Sequence, residues 1–235
     1  MQTMLPILVR DTQSEDCLYL SIYLPSKPSK EQRKVMVFFH GGAFSFGSSR
    51  EVLNGVKLYD GKNLAEEGDL IVVTPQYRLG PLGYTFSEKF KEGKEGYGGN
   101  FGLLDCVAAL KWVKREIGAF GGDGGEVTIF GESAGGHIVS LLSVMEEAEG
   151  LFKRVIVQSG LSTYYLESGE DREKRTERLG ESFYCRRSLK KEDWIRCMQE
   201  IPAVELMLFE SSSDSFFFLC VHMLNFFRIK ITLYL

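Results

Sequence analysis

Four short β-branched runs, VMVFF at 35–39, LIVVT at 70–74, VTIF at 127–130 and VIVQ at 155–158, are separated by stretches long enough to hold helices. Runs of this length and composition fill strands that are buried on both faces, as the strands of a parallel sheet are. The clearest helical stretch is 101–118, where Leu103, Val107, Leu110, Val113 and Ile117 recur at spacings of three and four, with Lys111, Lys114 and Arg115 falling elsewhere. Another lies after residue 133, with Ile138, Leu141, Leu142 and Met145 on one face. Strands alternating with helices predict an α/β fold, a mostly parallel central sheet flanked by helices and linked by right-handed crossovers. Leu18 to Leu24 alternates Leu and Ile with Tyr and Ser, which predicts one further, half-buried strand.

At 235 residues and 44% apolar content the chain is large enough to bury a substantial core. Its net charge of −4, from 28 basic and 32 acidic residues, provides no field that would draw nucleic acid or anionic lipid. Five cysteines without CxxC pairing and three scattered histidines do not match a zinc site, so neither a metal nor another cofactor is expected. The opening MQTMLPILVRDTQ shows no basic segment before an apolar stretch and no small-residue cleavage site, so no secretion address is read there. Beyond 160 the runs EDREKRTERLGESF and KKEDWIRCMQEI are expected to form helices with solvated charged faces.

The chemistry concentrates at Ser133, which sits in a GxSxG frame between Gly131 and Gly135, directly after VTIF and before an amphipathic stretch. A serine hydroxyl is a weak nucleophile near neutral pH. It needs exposure, a base to take its proton, and donors for the oxyanion formed on attack. The two glycines permit the sharp strand-to-helix turn that presents the serine. The N–H of Ala134, opening the next helix, would point at the oxyanion with the help of the helix dipole. A second set of donors is expected in HGGAF at 40–44, just after VMVFF, where Gly42 and Ala43 both carry an N–H.

Five segments together carry a family resemblance: SEDCLYLSIYLP at 14–25, VMVFFHGGAFSFGSS at 35–49, YDGKNLAEEGDLIVVTPQYRLGPLGY at 59–84, GNFGLLDCVAALKWV at 99–113 and FGGDGGEVTIFGESAGG at 120–136. They resemble the type B carboxylesterase and cholinesterase family, in the family's order and spacing. The resemblance implies an α/β-hydrolase fold and hydrolysis of small-molecule carboxylic esters through an acyl-enzyme. By position, Ser133 resembles the nucleophile, Gly42, Ala43 and Ala134 the oxyanion donors, and Gly131, Glu132 and Gly135 the remaining elbow residues. Glu132 is expected to be structural and not the triad acid. The resemblance further implies a buried salt bridge between Arg78 and Asp105, a disulfide between Cys185 and Cys197, and a secreted or endoplasmic-reticulum location.

In that family the acid and the histidine follow the serine on later loops, and neither is recognised in this sequence. His137, four residues after Ser133, would travel on the same helix as the serine; His40 belongs to the HGGAF loop; His222 lies in the apolar segment at the end. The expectation is therefore a partial domain over 1–210, truncated before the strands that carry the acid and histidine, with little or no activity of its own. The segment 211–235 is expected to be an unrelated hydrophobic tail. It lacks periodicity, it has the composition of A+T-rich codons, and Phe216 to Phe227 is too short to span a membrane. Two alternatives stand beside the esterase reading: a non-catalytic adhesion protein of the same fold, and a fragment with no function. An intact GESAGG together with HGGAF weighs against the first.

Overall fold

In chain order the strands are Tyr19–Tyr23 (β1), Arg33–Phe39 (β2), Val52–Leu53 (β3), Val56–Lys57 (β4), Ile71–Pro75 (β5), Gly122–Glu132 (β6), Arg154–Gln158 (β7) and Lys230–Tyr234 (β8). The helices are Lys62–Gly68 (α1), Gly80–Tyr84 (α2), Phe101–Glu116 (α3), Ala134–Leu142 (α4), Gly169–Ser182 (α5), Lys191–Gln199 (α6) and Ala203–Ser212 (α7). The protein is seen here as a computed structural model that describes residues 14–92, 96–161, 167–186, 188–212 and 230–234. The described residues divide into two compact units, one of 14–77, 105–161 and 230–234, the other of 78–104 and 167–212, with the division falling inside α3.

The first unit is built on a six-stranded sheet in the order β7-β6-β2-β5-β1-β8. It is mostly parallel, as the β-branched runs predict: β2 pairs in parallel with β5 and β6, β6 with β7, and β1 with β8, whereas β1 and β5 run antiparallel with Ile22 opposite Val73. Val35, Val37, Phe39, Ile71, Val73, Val127 and Ile129 are fully buried, and each such side chain contributes roughly 1.5–3 kcal/mol over leaving it in water. The expected helix at 101–118 is α3. The predicted stripe is buried, Leu103, Val107, Leu110 and Val113 on the helix and Ile117 just past its end, and Lys111, Lys114 and Arg115 are exposed. A 3-10 turn over Ile117–Phe120 and a left-handed Gly121, φ 80°, end the helix.

Three expectations change with the packing. β7 is a strand, but it is an edge strand with Val155, Ile156 and Val157 exposed, not a buried one. β1 is covered on both faces, since Ser21 and Tyr23 are buried along with Leu20 and Ile22. A short hairpin, β3 and β4 joined by Asn54 and Gly55, was not predicted, although the Asn-Gly pair is its signal. Both turn residues have positive φ, 52° and 81°, as a two-residue hairpin turn of right-handed twist requires. Of the terminal apolar segment, 230–234 pair with β1, and 213–229, including His222, lie outside the described residues.

In the second unit the charged run of α5 is not simply a solvated face. Arg172 is buried with its Nε 3.6 Å from Glu167 Oε2, and Thr176 Oγ1 accepts from the Phe86 N–H at 3.2 Å. Glu173 accepts from the Ser87 hydroxyl at 2.7 Å and the Glu88 N–H at 2.6 Å. Ser168 caps α5 by accepting the Asp171 N–H, and Glu170 and Asp171 place negative charge at its N-terminal end, where the helix dipole favours it. The disulfide between Cys185 and Cys197 is present, with Cα atoms 5.6 Å apart, and ties the end of α5 to α6. Beside it Trp194 is fully buried against Phe90, with Lys89 Nζ 4.6 Å from the centre of its ring.

Candidate active site

Ser133 occupies the step between β6 and α4. Its φ of 55° and ψ of −119° lie outside the regions that a residue with a Cβ adopts easily, a strain of about 1–3 kcal/mol. Its N–H donates to the Gln158 carbonyl at the end of β7 (2.9 Å), and its carbonyl accepts the His137 N–H (3.0 Å), so the strained turn is held from both sides. Its side chain does not cap α4.

The elbow exists because two glycines let backbones touch. A methyl group at Gly135 would lie 1.9 Å from the Phe39 carbonyl oxygen, and one at Gly131 would lie 2.5 Å from the Gly135 carbonyl. Only hydrogen fits at either place. Ala134 is buried at the first position of α4, where the N–H has no acceptor within the helix. Glu132, the last residue of β6, is exposed.

The HGGAF loop follows β2 and lies against this step. A methyl group at Gly41 would come within 3.2 Å of Ser133 Cβ and 2.9 Å of the Glu132 carbonyl oxygen. Gly42 turns the loop at φ 115°, with Ala43 and Phe44 also at positive φ, 52° and 61°. Its carbonyl accepts the N–H groups of Ser45 and Phe46, both at 3.0 Å. Gly42 and Ala43 follow Gly41 on this loop.

The loop is anchored by His40, which is fully buried. Its ring stacks on Tyr77 at 4.4 Å, its carbonyl accepts the Tyr77 hydroxyl at 2.6 Å, and Nδ1 lies 2.7 Å from the Gly41 carbonyl. Burial pushes the imidazole pKa down to about 4, opposed only in part by the Gly41 carbonyl and the Gln76 side chain. This ring is neutral at pH 7. Nothing in the spacing of the sequence pointed to Tyr77 or Gln76 as the partners of this loop.

His137 sits on α4 as its spacing predicts, with its ring 6.2 Å from that of Phe44 and its pKa lowered by burial. Among the described residues none hydrogen-bonds the Ser133 hydroxyl. Tyr59, at the foot of the β3–β4 hairpin, packs on Phe38 at 4.9 Å, and its pKa is raised by burial and by the charges of Glu51 and Glu132.

Arg78 lies in the second unit, where its Nη2 donates to the Phe101 carbonyl at 3.3 Å and its guanidinium covers the Phe101 ring at 5.2 Å. Asp105 is buried in the first unit. Among the described residues no cluster of His, Cys, Asp and Glu is arranged to hold a metal ion, and no helix is long and apolar enough to cross a membrane.

A sequence model of the carboxylesterase family matches residues 2–227. This chain belongs to the carboxylesterase family. It is 51% identical over 150 residues to the para-nitrobenzyl esterase of Bacillus subtilis (strain 168), covering 64% of this chain and 29% of that protein. It is 41% identical over 209 residues to carboxylesterase 3 of Homo sapiens, covering 88% of this chain and 34% of that protein. Among solved structures, a thermophilic para-nitrobenzyl esterase superposes with a TM-score of 0.75 at 38% identity, over 89% of this chain and 42% of that one. The fold is therefore that of the α/β-hydrolases, and the chain spans about a third of the length of these curated relatives.

Proposed function

We propose that Ser133 is the nucleophile of a carboxylic ester hydrolase. The single observation that carries this is its strained place between β6 and α4, with Gly41 of the HGGAF loop packed 3.2 Å from its Cβ once a methyl is imagined there. In the reaction, Ser133 Oγ bonds to the ester carbonyl carbon while its proton passes to a base. The carbonyl oxygen becomes an oxyanion facing the N–H groups of Gly42, Ala43 and Ala134. Collapse breaks the carbon–alkoxide bond, the alcohol leaves with the proton, and water then releases the acid from the acyl-serine. Each donor in such a hole is worth roughly 3–4 kcal/mol at the transition state.

The acid and the base of this cycle are proposed to lie outside the described residues, since His137 is carried on α4 behind the serine. The chain by itself is accordingly expected to turn over ester slowly, because an oxyanion hole without its base retains only a residual rate. The Cys185–Cys197 disulfide supports passage through an oxidising compartment, in line with a secreted or luminal location. The names of the relatives support small-molecule carboxylic esters as the substrate class.

A fluorophosphonate probe tests the nucleophile directly, because it traps a single attack by the serine and needs no turnover. Slow labelling of the native chain, at the residual rate of a serine without its base, and none of Ser133→Ala is expected. Equal labelling of both, or none of a well-folded native chain, would sink the reading.

A further inference from the structure

We propose that the β3–β4 hairpin is a wedge that docks the protein on a neutral lipid phase containing ester, such as the surface of an oil droplet; this rests on the ester-hydrolase reading of Ser133. Val52, Leu53, Val56 and Leu58 are 49%, 39%, 64% and 43% exposed, a concentration of aliphatic surface in seven residues. The register puts Leu53 beside Val56 on one face of the ribbon and Val52 beside Lys57 on the other, so apolar groups are bare on both sides. A two-stranded ribbon is marginal in water by itself, and bare aliphatics on both faces add an unfavourable hydration term that a covering phase removes.

The occupant follows from shape and area. The exposed patch is on the order of a few hundred Å², well below the roughly 800 Å² per partner of a standard protein interface. A second protein would also have to grip a thin ribbon from both faces. A fluid apolar phase closes around both without a preformed groove.

The hairpin is also placed for delivery. Its foot is fixed to the body of the first unit: the Leu58 N–H donates to the Glu51 carbonyl at 2.9 Å, and Gln76 holds the Ser49 N–H at 3.0 Å and the Ser48 hydroxyl at 2.7 Å. The chain runs into it from the HGGAF loop through Phe46, which is 36% exposed and whose carbonyl abuts Gly42. Tyr59 at its foot feels the charge of Glu132, next to Ser133. The wedge thus follows directly in the chain from the loop whose Gly41 lies against Ser133.

The test is flotation of the full chain, as Ser133→Ala so that nothing is hydrolysed, with triolein droplets coated in dioleoylphosphatidylcholine. The parent chain floats; Leu53→Asp combined with Val56→Asp lowers the bound fraction at least tenfold; Val144→Asp, at a site 79% exposed on the loop after α4, leaves it unchanged. Failure of the parent to float, or an equal loss in the Val144 variant, overturns the proposal. Leu53→Trp provides a second reading, because its emission moves to shorter wavelength on the droplets if the wedge inserts, and an unmoved spectrum overturns the proposal as well. Absence of fluorophosphonate labelling from the native chain, with flotation of the Ser133→Ala parent intact, would count against the ester reading and leave the docking surface standing.

Discussion

His40 makes the acid stability of the first unit a measurable quantity. Its pKa is near 4 in the fold, against an ordinary 6.5 in an unfolded chain, and burial is the main cause. Above pH 6.5 both states hold a neutral ring and its contribution to stability is whole. Between 6.5 and 4 the unfolded chain takes up a proton that the buried ring refuses, so stability falls as the pH falls, by about 1.4 kcal/mol for each pH unit. Over a gap of about 2.5 the loss comes to about 3 kcal/mol, on the scale of a third of the stability of an ordinary domain. Urea unfolding of the native chain and of His40→Gln across pH 7.5 to 4 isolates it. The native chain should lose about 3 kcal/mol more than the variant, because Glu66 and Glu126, whose pKa values are lowered by Ser26 and by Lys153 with Arg154, titrate alike in both. A His40 ring resonance with its midpoint near 6.5, or identical pH slopes for the two proteins, refutes the argument. Loss of the Tyr77 stack in the variant shifts its curve as a whole without imitating a slope.

Three further outcomes are expected. Gly135→Ala drives a methyl into the Phe39 carbonyl at 1.9 Å, with backbone on both sides of the clash, so a loss of at least about 3 kcal/mol in urea unfolding is expected, and an unchanged midpoint would be contrary. Ser133→Gly relaxes a residue held at φ 55°; it should raise the melting temperature while abolishing fluorophosphonate labelling, a gain of about 1 kcal/mol that a lowered melting temperature would contradict. Reduction of the Cys185–Cys197 bond, whose partners are 12 residues apart, should lower the stability of the second unit by about 3 kcal/mol, read from hydrogen exchange in α5 and α6 with and without dithiothreitol.

The sequence by itself determined β1, β2, β5, β6, β7 and the elbow, because these are local matters. β-branched runs adopt extended backbone wherever they are buried. Gly131 and Gly135 around Ser133 announce a turn whose need for hydrogen in place of a side chain is local in origin, though the Phe39 carbonyl that enforces it is distant. The motifs also sufficed for the family, since HGGAF and GESAGG are short stretches whose chemistry travels with them.

What the tertiary structure alone decided is which surfaces face water and which atoms meet across the chain. VIVQ reads like its fellow runs, yet among the described residues it pairs with β6 alone and its three apolar residues are exposed, a matter of strand order and not of composition. Arg172 sits in a run as charged as any solvated helix face and is buried, because the residues that surround it come from how α5 packs. His40 looked like one residue of a loop, and its depressed pKa arises from burial, in a fold that stacks Tyr77 on it from 37 positions away. Burial and long-range contact are properties of the assembled chain, and a linear pattern encodes them only where they repeat at the period of a helix or a strand.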